Sequence, residues 1–195
     1  MNQNLNLPIL QSEQTSLLLC VNYWSAFYVY PDEPEYELVN LSKFSEQDLV
    51  RLFVWKNGMP LSALKQQSLD QKILAELGYI NRCKQEGKLE LTEFLVRFSS
   101  LSFVWKSFLL HAILPQQYPI YDQNIHRSFN YIHDEKYAEI TNTLSDKEKE
   151  QFYFEKYLPF IQHMKGIPQR KIDQAFFAFG QFLNKNNGPF HLMLE

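Results

Sequence analysis

Over most of this chain apolar residues recur at the three-and-four spacing of helices, with polar, glycine or proline breaks between the runs. The first run, residues 16–30, SLLLCVNYWSAFYVY, is apolar and aromatic. Asn22 and Ser25 interrupt it, and its period fits a helix or a pair of strands. A turn is expected at Pro31-Asp32-Glu33-Pro34-Glu35, and residues 36–41 alternate as a short strand would. Ser45-Glu46-Gln47-Asp48 has the form of a capping box. It opens a helix with the apolar face Leu49, Leu52 and Phe53, which stops at Asn57-Gly58 ahead of Pro60.

From there the pattern stays helical. Leu61, Leu64, Leu69, Ile73, Leu74 and Leu77 form one amphipathic stretch closed by Gly78; a short segment at 80–85 is broken by Gly87. Thr92-Glu93 starts a helix that buries Phe94, Leu95 and Phe98. A further helix opens at residues 144–148, and apolar residues keep helical spacing over 152–164. After the break Gly166-Ile167-Pro168, a last helix at 169–183 turns Ile172, Phe176, Phe179 and Phe182 inward. Residues 1–8 are polar and asparagine-rich, a loose start. The pattern predicts a mainly α protein, one domain over 1–195. Residues 1–44 form an irregular appendage with a small β element, and 45–185 a helical core.

The centre of the pattern is residues 103–129, FVWKSFLLHAILPQQYPIYDQNIHRSF. Between Val104 and Leu114 only Lys106, Ser107 and His111 interrupt the apolar run, so this helix should be buried. Pro115 ends it, because proline has no N–H to give and disfavours helix in the residue before it. Pro119 sets an extended approach, and Asp122 then stands where an N-cap belongs. A carboxylate there accepts bonds from the next turn's free N–H groups, and the helix dipole favours its charge. The second helix continues through Phe129 to residue 137.

Composition narrows the class. Apolar residues make up 45% of the chain and aromatics 15%, including 16 Phe and 11 Tyr, which argues for a packed globule and against disorder. The net charge of −3 lacks the basic balance of many nucleic-acid binders, so any DNA contact must rest on a local basic face. Lys165, Arg170 and Lys171, or Arg82, Lys84 and Lys88, are the candidates, with the acidic run Asp32, Glu33, Glu35 and Glu37 facing elsewhere. Two cysteines, Cys20 and Cys83, make no metal-ligand pattern and rule out a four-cysteine iron–sulfur cluster. No signal peptide or apolar run of about 18 residues is visible, so the expected location is the cytoplasm, with no membrane partner.

K-S-F-L-L-H-A-I-L, a proline-bounded turn and Y-D-Q-N-I-H-R resemble the centre of the helix-hairpin-helix (HhH-GPD) DNA glycosylase superfamily. Lys106, Asp122, Ile125 and Arg127 occupy the matching positions over about 27 residues. The resemblance implies a helical glycosylase-like fold and a DNA N-glycosylase that excises a damaged or modified base from flipped-out DNA. It makes Asp122 the carboxylate that helps break the N-glycosidic bond. It makes Lys106 the amine that forms a Schiff base with the sugar, if the protein is also a lyase. This sequence departs from the family at the hairpin: the glycine-rich turn before the lysine is replaced by Ser100-Leu101-Ser102-Phe103-Val104-Trp105.

The surrounding residues fit such chemistry or plainer roles. Gln123 and Asn124 offer amide donors at a helix start, where phosphates bind well, or are solvated first-turn residues. His126, one turn after Asp122, can meet a phosphate, orient water or satisfy the carboxylate; Arg127 suits a phosphate or an internal ion pair. Tyr118 and Tyr121 can stack on an extruded base or fill the core, and Trp105 flanks Lys106 in the DNA-facing set. His111 reads as a satisfied core histidine. Lys106 itself is a solvated lysine, an ion-pair partner or a nucleophile. Neither a metal nor a cofactor is called for; a hydrolase using His111, Asp122, His126 and His133 as metal ligands lacks any familiar ligand spacing. The alternative to an enzyme is a non-catalytic helical module that binds nucleic acid or protein on the same fold.

Overall fold

A computed structural model of the chain describes residues 16–137 and 144–185, so the asparagine-rich start at 1–8 lies outside the described residues. Among the described residues the regular structure is helical, with no strand. The chain divides into two compact units: Tyr30–Tyr118, and a discontinuous unit made of Met1–Val29 and Pro119–Glu195.

The middle unit opens with a 3₁₀ helix, Glu33–Asn40, where the alternation at 36–41 suggested a strand. Asp32 takes a left-handed conformation (φ 49°), and Pro34 sits in the first helical turn, where its locked φ and missing N–H cost nothing. A period of three then puts Tyr36 and Val39 on one side, and Val39 is buried. The expected β element is therefore corrected to a 3₁₀ turn. The apparent alternation was a three-residue spacing sampled over too few residues.

Helix α2 (Glu46–Asn57) carries the expected capping box, Ser45 with Asp48, and ends at Gly58 in the left-handed region. The stretch expected to run to Gly78 ends sooner: α3 (Ala63–Lys72) passes through a 3₁₀ turn at Leu74–Glu76 into α4 (Leu77–Glu86), which contains the short segment expected at 80–85. Gly78 lies inside α4, and Gly87 (φ 63°) ends it. Then come α5 (Leu91–Arg97) and α6 (Phe103–Ile113). The core of this unit includes Leu49, Leu52, Phe53, Ile80, Phe94, Phe98 and Phe108, all essentially inaccessible. Buried Asn81 satisfies both peptide groups of Phe44, accepting from its N–H at 2.7 Å and donating to its carbonyl at 2.9 Å. Lys84 is no surface charge: its half-buried ammonium donates to the carbonyls of Val39 (2.9 Å) and Ala112 (2.6 Å).

In the discontinuous unit the first apolar run is helical over α1 (Leu17–Ser25), capped by Ser16. It packs on α10 (Gln169–Lys185), with the Trp24 ring 4.8 Å from Phe179 and 5.2 Å from Phe182. Helix α7 (Gln123–Ile132) also packs on α10, and ends five residues earlier than its apolar pattern suggested, with Asp134 at positive φ. Residues 146–163 form α8 (Asp146–Phe152), a π turn at Tyr153–Tyr157 and α9 (Leu158–His163). Pro159 explains the widening, since its ring would crowd the carbonyl four residues back in a regular α turn. Tyr153 and Tyr157 are buried completely on this π turn.

Candidate functional site

The start of α7 is built from the core outward. The approach segment is anchored twice: the Tyr153 hydroxyl donates to the Pro119 carbonyl at 2.9 Å, and the Ile120 N–H donates to Asp173 at 3.4 Å. Asp173 is itself buried on α10 and accepts from the Tyr157 hydroxyl at 3.1 Å. Asp122 then takes an extended conformation, and its Oδ1 accepts from the N–H groups of Asn124 (2.8 Å) and Ile125 (3.0 Å). The cap expected from the sequence is present, and Asp122 is only partly buried.

The neighbours of Asp122 divide by exposure. Gln123 and Asn124 are half-exposed. Arg127 is buried and donates to Asn124 Oδ1 at 3.0 Å; burial lowers its pKa, and the charge of Asp122 acts in the opposite sense. His126 and Tyr121 turn into the core. The two share a 2.7 Å hydrogen bond, and the His126 ring stacks on Phe152 at 3.6 Å. Burial, with lesser repulsion from Lys156, Arg127 and Lys149, pushes His126 down to about 4, so it is neutral near pH 7. Burial raises the Tyr121 hydroxyl well above the ordinary tyrosine range. These two hold the segment in place from within and present no ring to solvent.

Two residues invisible to motif reading complete this region. Gly180 lies mid-helix in α10, and a Cβ there would stand 2.7 Å from Asn124 Cα and 2.5 Å from its carbonyl carbon. Only the missing side chain lets α10 pass so close to the first turn of α7. Asp173 is the other. A glycine inside an otherwise strong helical pattern and an acid among inward-facing aromatics were the available signals.

Lys106 belongs to the other unit. Helices α5 and α6 are joined by a turn at residues 98–102 and so form a helix–turn–helix without glycine; Lys72 donates to the Ser100 carbonyl there at 2.9 Å. Ser102 is the N-cap of α6, and its side chain makes no capping bond. Lys106 is only 8% exposed, with its ammonium 5.8 Å from the Phe103 ring centre, which removes the solvated reading. Trp105 is buried against Phe53 at 5.0 Å, while Tyr118 remains half-exposed. His111 is satisfied on both nitrogens: Nδ1–H donates to the Tyr118 carbonyl (2.7 Å), and Nε2 accepts from the Tyr36 hydroxyl (3.0 Å).

No family model, curated protein or solved structure matches this chain. Among the described residues no three His, Cys, Asp or Glu side chains are grouped to hold a metal ion. No helix among them is long and apolar enough to cross a membrane. The proposed basic faces are partly consumed by internal contacts. Arg170 donates to the Tyr28 hydroxyl at 2.8 Å, Lys171 donates to Asn22 at 2.5 Å, and Lys88 lies 3.7 Å from Glu86.

Proposed function

We propose that the protein is a DNA N-glycosylase that cleaves the bond between a modified base and its sugar, with Asp122 as the catalytic carboxylate. The observation that carries this reading is a partly buried aspartate whose carboxylate is fixed by two backbone N–H bonds at the start of α7, on a segment anchored to the core at Pro119 and Ile120. Breaking the bond sends its electron pair to the base and leaves positive charge on C1′ and the ring oxygen of the sugar. A rigid carboxylate stabilises that charge without having to reorganise. Water then adds to C1′ and gives up a proton, and the base leaves carrying one. In this reading Gln123 and Asn124 hold the phosphate or base edge, and Tyr121, His126 and Arg127 serve as positioning residues. Trp105 supports α6 from the core.

Lys106 supplies the lyase branch. Its amine would attack C1′ in place of water and expel the base, which leaves with a proton, and would form a Schiff base with the opened sugar. Its burial beside Phe103, just after the turn that opens α6, supports this role over a solvated one.

The test is excision on DNA carrying alkylated, deaminated or oxidised bases. Asp122→Asn should fold normally, because asparagine caps about as well as aspartate. Its excision rate should fall on the order of 10² to 10³. Borohydride trapping in the parent, lost in Lys106→Gln, would assign the lyase step. An Asp122→Asn variant that excises at the parental rate would overturn the assignment. DNA binding without excision by the parent would return the protein to the non-catalytic module.

A further inference from the structure

Away from Asp122, the discontinuous unit holds a cavity of about 630 Å³ lined in part by Phe129, His133, Glu155, Lys156, Phe160 and His163. That volume lies within the usual range for small-molecule sites. The lining comes from the last turn of α7 and from the π turn and α9, so the irregular turn delivers Glu155 and Lys156 to it. π turns of this kind occur frequently at functional sites.

Both imidazoles are fixed in one tautomer. His133 Nδ1 lies 2.8 Å from the Phe129 carbonyl, and His163 Nδ1 lies 2.5 Å from the Pro159 carbonyl. A carbonyl can only accept, so each Nδ1 carries the hydrogen and each neutral ring keeps Nε2 as an acceptor. The His133 ring is further held by stacking on Phe129 at 3.9 Å. The Lys156 ammonium is occupied by both carboxylate oxygens of Glu135, at 2.9 and 3.0 Å. Among the described residues, the Glu155 carboxylate receives only the Gln151 amide, at 3.0 Å. Two carboxylates against one ammonium leave the lining with an excess negative charge.

We propose that this cavity binds a small organic cation of the guanidinium or amidinium class, with Glu155 as counter-ion and the His133 and His163 imidazoles as hydrogen-bond acceptors. Among the described residues these groups do not gather three His, Cys, Asp or Glu side chains as a metal ion would need. A planar cation with several N–H donors spans separated acceptors, as a compact ion cannot. An anion would face two carboxylates and two imidazole lone pairs, with the one ammonium already paired. The aromatic walls favour a cation with a flat apolar body. Acidification should release it. The groups facing His133 are Glu135, Glu155, Lys156 and His163, and protonating Nε2 turns an acceptor into a like charge.

The test is calorimetric titration of the whole protein with benzamidine, compared with neutral benzamide. Saturable one-to-one binding of benzamidine is expected near pH ~7.5, with benzamide and the Glu155→Gln variant each weaker by about tenfold or more. Imidazole ¹⁵N resonances of His133 and His163 should shift at Nε2 as the probe saturates. Glu155 and His163 are exposed, so Glu155→Gln and His163→Ala should melt like the parent. No saturable heat, equal affinity for benzamide, or parental affinity in Glu155→Gln would each overturn the proposal. The site is independent of the glycosylase reading.

Discussion

Gly180 and Gly78 are both helical glycines, and the same substitution at the two should have opposite effects. Alanine is favoured over glycine inside a helix by about 1 kcal/mol, so propensity alone predicts that either change stabilises. At Gly78 nothing lies within 4 Å of the added Cβ, and a gain of about 0.5 to 1 kcal/mol should appear, with Tm up by roughly 1–4 °C. At Gly180 the added carbon meets the backbone of Asn124, with its Cα at 2.7 Å. Ordinary carbon contacts are about 3.5–4.0 Å, so α10 and α7 must part by on the order of 1 Å. That movement strains the buried 2.5 Å bond from Ser128 Oγ to the Phe176 carbonyl, worth about 1 kcal/mol. Overpacking adds about 1–3 kcal/mol. After subtracting the propensity gain, Gly180→Ala should destabilise by about 1–3 kcal/mol and lower Tm by roughly 2–10 °C. Thermal unfolding followed by circular dichroism, with denaturant melts of both variants, measures the pair. A Gly180→Ala protein as stable as Gly78→Ala would show that the close helix crossing is not what requires glycine.

Three further outcomes are expected. His126 has its folded pKa depressed from 6.5 to about 4, so the unfolded chain binds the extra proton; its contribution is complete above about pH 6.5 and is lost as pH falls toward 4. Urea melts should lose up to about 3 kcal/mol across that window, and a His126→Gln variant with an identical pH profile would refute the assignment. Asn81→Ala leaves the buried peptide groups of Phe44 unpaired and should cost about 2–4 kcal/mol by denaturant unfolding; a cost under about 0.5 kcal/mol would mean water replaces the amide. DNA affinity should be modest, because few cations remain for phosphates on a chain of net charge −3, and it should fall as salt rises, because each phosphate contact releases counterions. Equal Kd at low and physiological salt in a fluorescence-anisotropy titration would rule out electrostatic docking.

Local chemistry by itself determined much of this protein. Ser45 and Asp48 form the capping box their spacing announces, Pro115 ends α6, and Asp122 caps α7, because these devices act within one turn of chain. The apolar runs specified most of the helices, but at residues 16–30 the period left helix and strands open, and packing on α10 goes with the helix observed there. They failed at residues 36–41, where a strand and a 3₁₀ turn present almost the same short pattern. Gly78 was misleading for a related reason: glycine weakens a helix but does not end one unless the backbone turns left-handed, as it does at Gly87. Tertiary structure alone decided what the polar residues near the motif do. Tyr121, His126, Arg127 and Lys106 carry the same side chains in sequence whether they face solvent or core, and only packing buries them. It also decided that Lys106 and Asp122, 16 positions apart, belong to different compact units, and that Gly180 and Asp173 support the start of α7 from about 50 residues away. Such contacts depend on where helices cross, and no local pattern encodes the crossing point.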